Sequence, residues 1–96
     1  MSITNNQLQS LPQEIGKLRN LKEFHSGNNQ LQYFPKEIGE LKNLTILHSG
    51  MNQLQSLPKE IETLTNLRKL NIRNNKIPTK EIAHLQRILP NCKIIT

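Results

Sequence analysis

Apolar and polar positions along the chain repeat with a step of 23 residues. Leu8, Leu31, Leu54 and Ile77 form one row, and Ile15, Ile38 and Ile61 a second. Leu18, Leu41 and Leu64 form a third, and Leu21, Leu44 and Leu67 a fourth. Asn6, Asn29, Asn52 and Asn75 recur in the same phase. A fixed period in this range marks a stack of structural repeats, each of which buries its apolar side only against its neighbours.

Within one repeat the pattern changes period. Phe24-His25-Ser26 alternates, which predicts a short strand with positions 24 and 26 turned inward and 25 turned out. Asn29 ends that strand, and a column of asparagines has both the donors and the acceptors to satisfy backbone groups of the turns. The Phe34-Pro-Lys-Glu-Ile38 segment predicts one or two helical turns, because proline is tolerated at a helix start. Gly39 is expected to let the chain turn back. Strands are expected near Met1–Thr4, Phe24–Gly27, Leu47–Gly50 and Leu70–Arg73, with a last short one at Lys93–Ile95. From Ile77 the phase fails. Thr79 is expected to cap a longer helix carrying Ile82, Leu85, Ile88 and Leu89 at helical spacing, ended by Pro90-Asn91. The chain therefore reads as one domain: a partial repeat over 1–17, full repeats over 18–40 and 41–63, a last strand and turn over 64–78, and a C-terminal cap over 79–96. Met1 falls on an inward strand position, so the first repeat is expected to offer an unpaired edge, which either self-associates or marks a fragment of a longer protein.

Composition narrows this picture. Hydrophobic residues make up 34% of the chain and aromatic ones 3%, so the core must be aliphatic. Thirteen Lys and Arg against seven acids give a net charge of +6, which favours acidic partners in general. The charges are spread through every repeat rather than gathered in a block, and solubility alone explains such a spread. A single cysteine, Cys92, excludes an internal disulfide and is expected to pack beneath the cap as a small hydrophobe. There is no apolar run long enough to cross a membrane and no secretory leader in this sequence, which on its own reads as cytoplasmic. A recognisable nucleophile motif, a Gly-rich phosphate loop and a dense acid cluster are all lacking, which argues against an enzyme.

The stretch Leu21 to Asn29 has the spacing L-x-x-L-x-L-x-x-N, with Phe24 and Ser26 in two of the leucine slots. In this spacing the chain resembles the leucine-rich-repeat family. The phrases Leu11-Pro-Gln-Glu-Ile-Gly-Lys-Leu-Arg-Asn-Leu21 and Phe34-Pro-Lys-Glu-Ile-Gly-Glu-Leu-Lys-Asn-Leu44 are similar to the bacterial 23-residue repeats of pathogenic spirochaetes, the leptospiral type. The ending Leu89-Pro-Asn-Cys-Lys-Ile94 is similar to the closing segment of those proteins. The resemblance implies an α/β solenoid, a short horseshoe arc with a concave parallel sheet, short convex helices and a helical C-terminal cap. It also implies a non-enzymatic module that binds a protein partner on the concave face, in host–pathogen contact, from a secreted or surface-exposed position.

In that fold the outward strand positions form the candidate surface: Glu23, His25 and Asn28; Ile46, His48 and Met51; Lys69, Asn71 and Arg73. Ser2, Thr4 and Asn5 precede them, and Gly27, Gly50 and Asn74 lie between. His25 and His48 are expected side by side on adjacent strands. Two readings fit them: a zinc site with Glu23 as a third ligand, completed by a second chain, or a solvated pair inherited from a duplicated His-Ser-Gly segment. Two close imidazoles also resist charging together, which would make a contact there pH-dependent. Ile46 and Met51 could form an apolar centre. Ser26 and Ser49 occupy the inward slot held by Ile3 and Ile72, and their hydroxyls need partners, most simply a backbone carbonyl. The basic balance supports an alternative, an anionic polymer such as a sulfated glycan or nucleic acid, while the scarcity of aromatics argues against single-strand stacking and so makes nucleic acid the less favoured of the two.

Overall fold

The alternating segments form strands of three residues each: β1 (Glu23–His25), β2 (Ile46–His48), β3 (Lys69–Asn71) and β4 (Lys93–Ile95), in a computed structural model that describes residues 1–96. They pair in parallel in chain order. Phe24, Leu47, Leu70 and Ile94 stand in register, so the inward positions make one continuous apolar row beneath the sheet. The expected strand near Met1–Thr4 is reduced to a single bridge, Ser2 to His25, with Ile3 N–H donating to the His25 carbonyl at 2.8 Å. The expected strands also stop short of Gly27, Gly50 and Arg73, because the asparagine column takes over the hydrogen bonding there.

That column works as its spacing predicts. Asn52 Nδ2 donates to the Ser26 and Ser49 carbonyls at 3.0 and 3.1 Å, while its Oδ1 accepts from Leu31 N–H at 3.1 Å. Asn29 and Asn75 repeat the arrangement one repeat earlier and later. Asn6 bonds only within its own turn, donating to the Ile3 and Thr4 carbonyls. Just before each ladder asparagine the backbone turns left-handed, at Asn5, Asn28, Met51 and Asn74, with φ between 55 and 62°.

The convex side carries five-residue 3₁₀ helices at Gln13–Lys17, Lys36–Glu40 and Lys59–Thr63. Pro12, Pro35 and Pro58 stand just ahead of them with extended ψ rather than as first helical residues. Ile15, Ile38 and Ile61 are the buried residues that anchor these turns. Gly39 has another role than the one its sequence position suggests. It lies inside its helix without a positive φ, and a Cβ there would stand 2.7 Å from Glu60 Cβ and 2.8 Å from the Glu60 carbonyl. It is a packing glycine that lets two repeats stack, as is Gly16 against Glu37 and Glu40. At the equivalent position of the next repeat a side chain is accommodated, Glu62.

The cap helix α1 spans Thr79–Ile88. Thr79 does not cap it: Pro78 occupies the cap position, Thr79 is the first helical residue, and no side chain bonds the helix start. Glu81 ties the cap to the preceding repeat instead, its Oε1 accepting from Leu57 N–H at 2.6 Å. Leu85, Leu89 and Cys92 are buried and join the single core cluster, as expected, whereas Ile88 points to solvent. At the opposite end Leu8 and Leu18 are 38% and 42% exposed, while Leu31 and Leu41, their equivalents one repeat on, are at 0%. No helix is long and apolar enough to cross a membrane.

Candidate functional site

The register of the sheet sets the concave face in rows. Glu23, Ile46, Lys69 and Lys93 pair across one row, and His25, His48, Asn71 and Ile95 across the next. Along its first row the face passes from acid through an apolar residue to two lysines. Beyond the strand ends, where the chain enters its left-handed turns, lies a shallow trough of about 490 Å³. It brings together His25, Asn28, His48, Met51, Asn71 and Arg73 from the expected site, with Thr4, Gly27, Gly50 and Asn74 between them. Glu23, Ile46 and Lys69 stand outside it, at the other end of the strands.

The two imidazoles are neighbours, as their 23-residue separation requires. Their ring centroids are 4.9 Å apart and their planes 19° from parallel, a stacked pair. His25 Nε2 faces Glu23 Oε1 at 3.3 Å. Burial holds the His48 pKa below its ordinary value, helped by His25 and Lys69 and opposed by Glu23. Nitrogen lone pairs lie in the ring plane, so in this stacked conformation those of the two rings run side by side rather than meeting at one point. No three His, Cys, Asp or Glu side chains are grouped to hold a metal ion.

Met51 is the least expected part of the surface. It is 55% exposed, and its φ of 58° places an unbranched apolar residue where the other repeats have asparagine. A left-handed conformation costs an L-residue about 1–2 kcal/mol, least for Asn, whose short amide bonds locally. Asn28 instead bonds across the stack, donating from Nδ2 to Asn5 Oδ1 of the preceding repeat at 2.8 Å; Met51 interrupts that outer row. The signal was present in the sequence as the Asn5, Asn28, Asn74 column with one member changed.

Beneath the trough, Ser26 and Ser49 are fully buried and satisfy each other, Oγ to Oγ at 3.0 Å. Ser26 also reaches the His48 carbonyl at 3.3 Å, the kind of partner expected, and Asn52 Nδ2 reaches Ser49 Oγ at 3.3 Å. Sequence reasoning missed the pairing between the two hydroxyls, although their 23-residue spacing implies it. Cys92 lies away from this face in the cap, its thiol pKa raised by burial despite nearby Arg68.

The family model described as a leucine-rich repeat region matches residues 1–89. The chain belongs to the leucine-rich-repeat family. A solved leucine-rich-repeat protein of Leptospira interrogans is 36% identical, with a TM-score of 0.78 over 100% of this chain. This leucine-rich-repeat chain spans 30% of the length of that protein. An internalin from Listeria monocytogenes aligns over 98% of this chain and 39% of its own, at 18% identity and a TM-score of 0.41. No curated protein matches. The bacterial repeat type inferred from the Pro-x-Glu-Ile phrases thus has a leptospiral counterpart along its full length.

Proposed function

We propose that this leucine-rich-repeat domain recognises a protein partner on its concave face, with the trough over the two middle repeats as the centre of contact. The observation that carries this reading is Met51: an apolar side chain held out to solvent on strained backbone, beside the stacked His25 and His48. Strain retained at an exposed position is a mark of function, and a rigid solenoid holds it without collapse. Contact between a bacterium and its host is the setting that the leptospiral counterpart suggests. Such recognition needs no catalysis.

Immobilised protein tested for capture from host extracts separates the surfaces. Met51→Asp and Asn71→Ala are expected to lose the captured partner, while Lys36→Ala on the convex side retains it. Capture lost through the convex change and kept through the other two would place the interface elsewhere. The basic end of the concave face, Lys69, Arg73 and Lys93, supports a second reading, binding of a sulfated glycan; heparin retention falling steeply with salt would favour it. Self-association through the exposed Leu8 and Leu18 surface, or through zinc held between His25 and His48 of two chains, is separated by light scattering with chelator and with added zinc.

A further inference from the structure

The asparagine ladder that ties the turns together leaves a second set of donors over. The Ile3 carbonyl accepts from Asn6 and Asn29 at 2.8 and 3.0 Å, and the Ser26 carbonyl from Asn29 and Asn52 at 3.1 and 3.0 Å. The Ser49 carbonyl accepts from Asn52 and Asn75 at 3.1 and 3.0 Å. A carbonyl oxygen has two lone pairs, so all three are filled. His25 N–H donates to the Met1 carbonyl; a parallel ladder carried two residues further would send Gly27, Gly50 and Arg73 N–H to these same oxygens.

The displaced donors meet different fates. Arg73 N–H turns to Asn71 Oδ1 at 3.0 Å, and Thr4 N–H to Ser2 Oγ at 3.3 Å. Each acceptor is the outward side chain two residues earlier, so these amides are reached from the concave side. At Gly27 and Gly50 the corresponding residues are His25 and His48, whose rings stack on each other. Neither glycine N–H has a hydrogen-bond partner in the molecule. Neither has a positive φ, and Thr4 and Arg73 carry side chains at the equivalent places, but a Cβ would stand 3.2 Å from Gly50 O at Gly27, and 3.3 Å from Arg73 O and Asn71 Oδ1 at Gly50. With no side chain of their own, both residues lie half-buried on the trough floor. Around the two amides stand the imidazoles, the Asn28 and Asn71 amides and the Arg73 guanidinium, with no acid among the lining residues. The nearest carboxylate, Glu23, faces His25 from outside the trough.

We propose that this trough is a carboxylate site, in which a glutamate or aspartate of an acidic peptide segment bridges the Gly27 and Gly50 amides beside the imidazoles and Arg73. The inference rests on the concave-face reading and gives its partner a chemistry. Amides on adjacent strands, about 4.8 Å apart, suit the two oxygens of one planar carboxylate. Arg73 is the one permanent cation lining the trough, which matches a singly charged group, and Met51 supplies an apolar wall for the aliphatic stem. Anion entry favours the charged form of His48 against its burial and the nearby His25 and Lys69, and adds to the opposing pull of Glu23. Binding therefore tightens, with proton uptake by His48, as pH falls below the ordinary imidazole value of 6.5 toward the lowered His48 range.

The test is a ¹⁵N NMR titration with an end-blocked peptide carrying two glutamates, with its glutamine analogue and with inorganic phosphate. The expected result is movement of the Gly27 and Gly50 amide resonances by the glutamate peptide, at roughly tenfold or more lower concentration than by the glutamine analogue. His48→Asn copies Asn71 and supplies Gly50 with an internal acceptor; it should abolish the Gly50 response with the remaining spectrum intact. His48→Ala leaves the amide open and should keep the response while losing its acid-side tightening. Equal responses to the two peptides on concave amides would overturn the carboxylate site and leave concave-face binding standing. Perturbation confined to the convex 3₁₀ helices would overturn both. Phosphate acting as well as the glutamate peptide would overturn the acidic-peptide assignment.

Discussion

The two middle repeats and the last one share a backbone but not a chemistry. In the middle, His25-Ser26-Gly27 and His48-Ser49-Gly50 put a hydroxyl in the core and an open amide on the surface. In the last repeat, Asn71-Ile72-Arg73 puts an aliphatic chain in the core and closes the same amide with Asn71. The closed version shows what the fold needs for its own stability. The open version departs from it twice in succession, at both the inward and the outward positions. A stack whose repeats contact only their neighbours tolerates such a departure, because the ladder and the leucine rows on either side continue through it.

The sharpest way to break this comparison is to remove the ladder that displaces the amides. Asn52→Ala strands the Leu31 N–H in the core and takes one of two asparagine donors from each of the Ser26 and Ser49 carbonyls; urea denaturation should show a loss of about 3 kcal/mol. Asn6→Ala, at an exposed turn, should lose under about 1 kcal/mol in the same assay. Equal losses would mean that the column does not act as a cross-repeat brace. Next in size is the serine pair. Ser49→Ala leaves Ser26 with a weaker partner and should destabilise by about 1–2 kcal/mol, and adding Ser26→Ala should lose less than the sum of the single changes. Strict additivity would show that the two hydroxyls do not act as a unit.

Met51→Asn restores the outer column and relieves the left-handed methionine, so it should stabilise by about 0.5–1 kcal/mol while weakening partner binding. A destabilised variant would mean that Met51 is held there by packing rather than against strain. The smallest effect is on pH. Unfolded His48 takes its proton near 6.5, whereas the folded residue takes it at lower pH. Between those values the unfolded state binds more protons, so stability rises with pH across the window, falls on acidification and is unaffected by this group above it. Comparing melts of wild type and His48→Gln from neutral pH downwards should show the shallower acid loss in the variant.

Much of this was legible in the chain because a fixed period converts sequence spacing directly into spatial adjacency. The inward row Phe24, Leu47, Leu70 and the neighbouring His25 and His48 follow from counting alone. What counting misses is competition for hydrogen bonds. That Gly27 and Gly50 lose their acceptors depends on asparagines of two successive repeats meeting at one carbonyl, which no single repeat displays. Gly39 read as a turn residue because its neighbour Glu60, 21 positions later, supplies the contact that excludes a Cβ. Thr79 read as a cap because its residue type fits, yet Pro78 already fixes the extended entry to α1.

The central claim is that the middle repeats hold open two backbone donors that the flanking repeats close. Amide hydrogen exchange resolved at single residues tests it in the free protein. Asn28, Met51 and Arg73, which donate to Gly50 O, Arg73 O and Asn71 Oδ1, should be protected, while Gly27 and Gly50 between them exchange close to the rate of an unfolded chain. Protection of Gly27 and Gly50 equal to that of Arg73 would show that those amides are satisfied within the fold and would contradict the account.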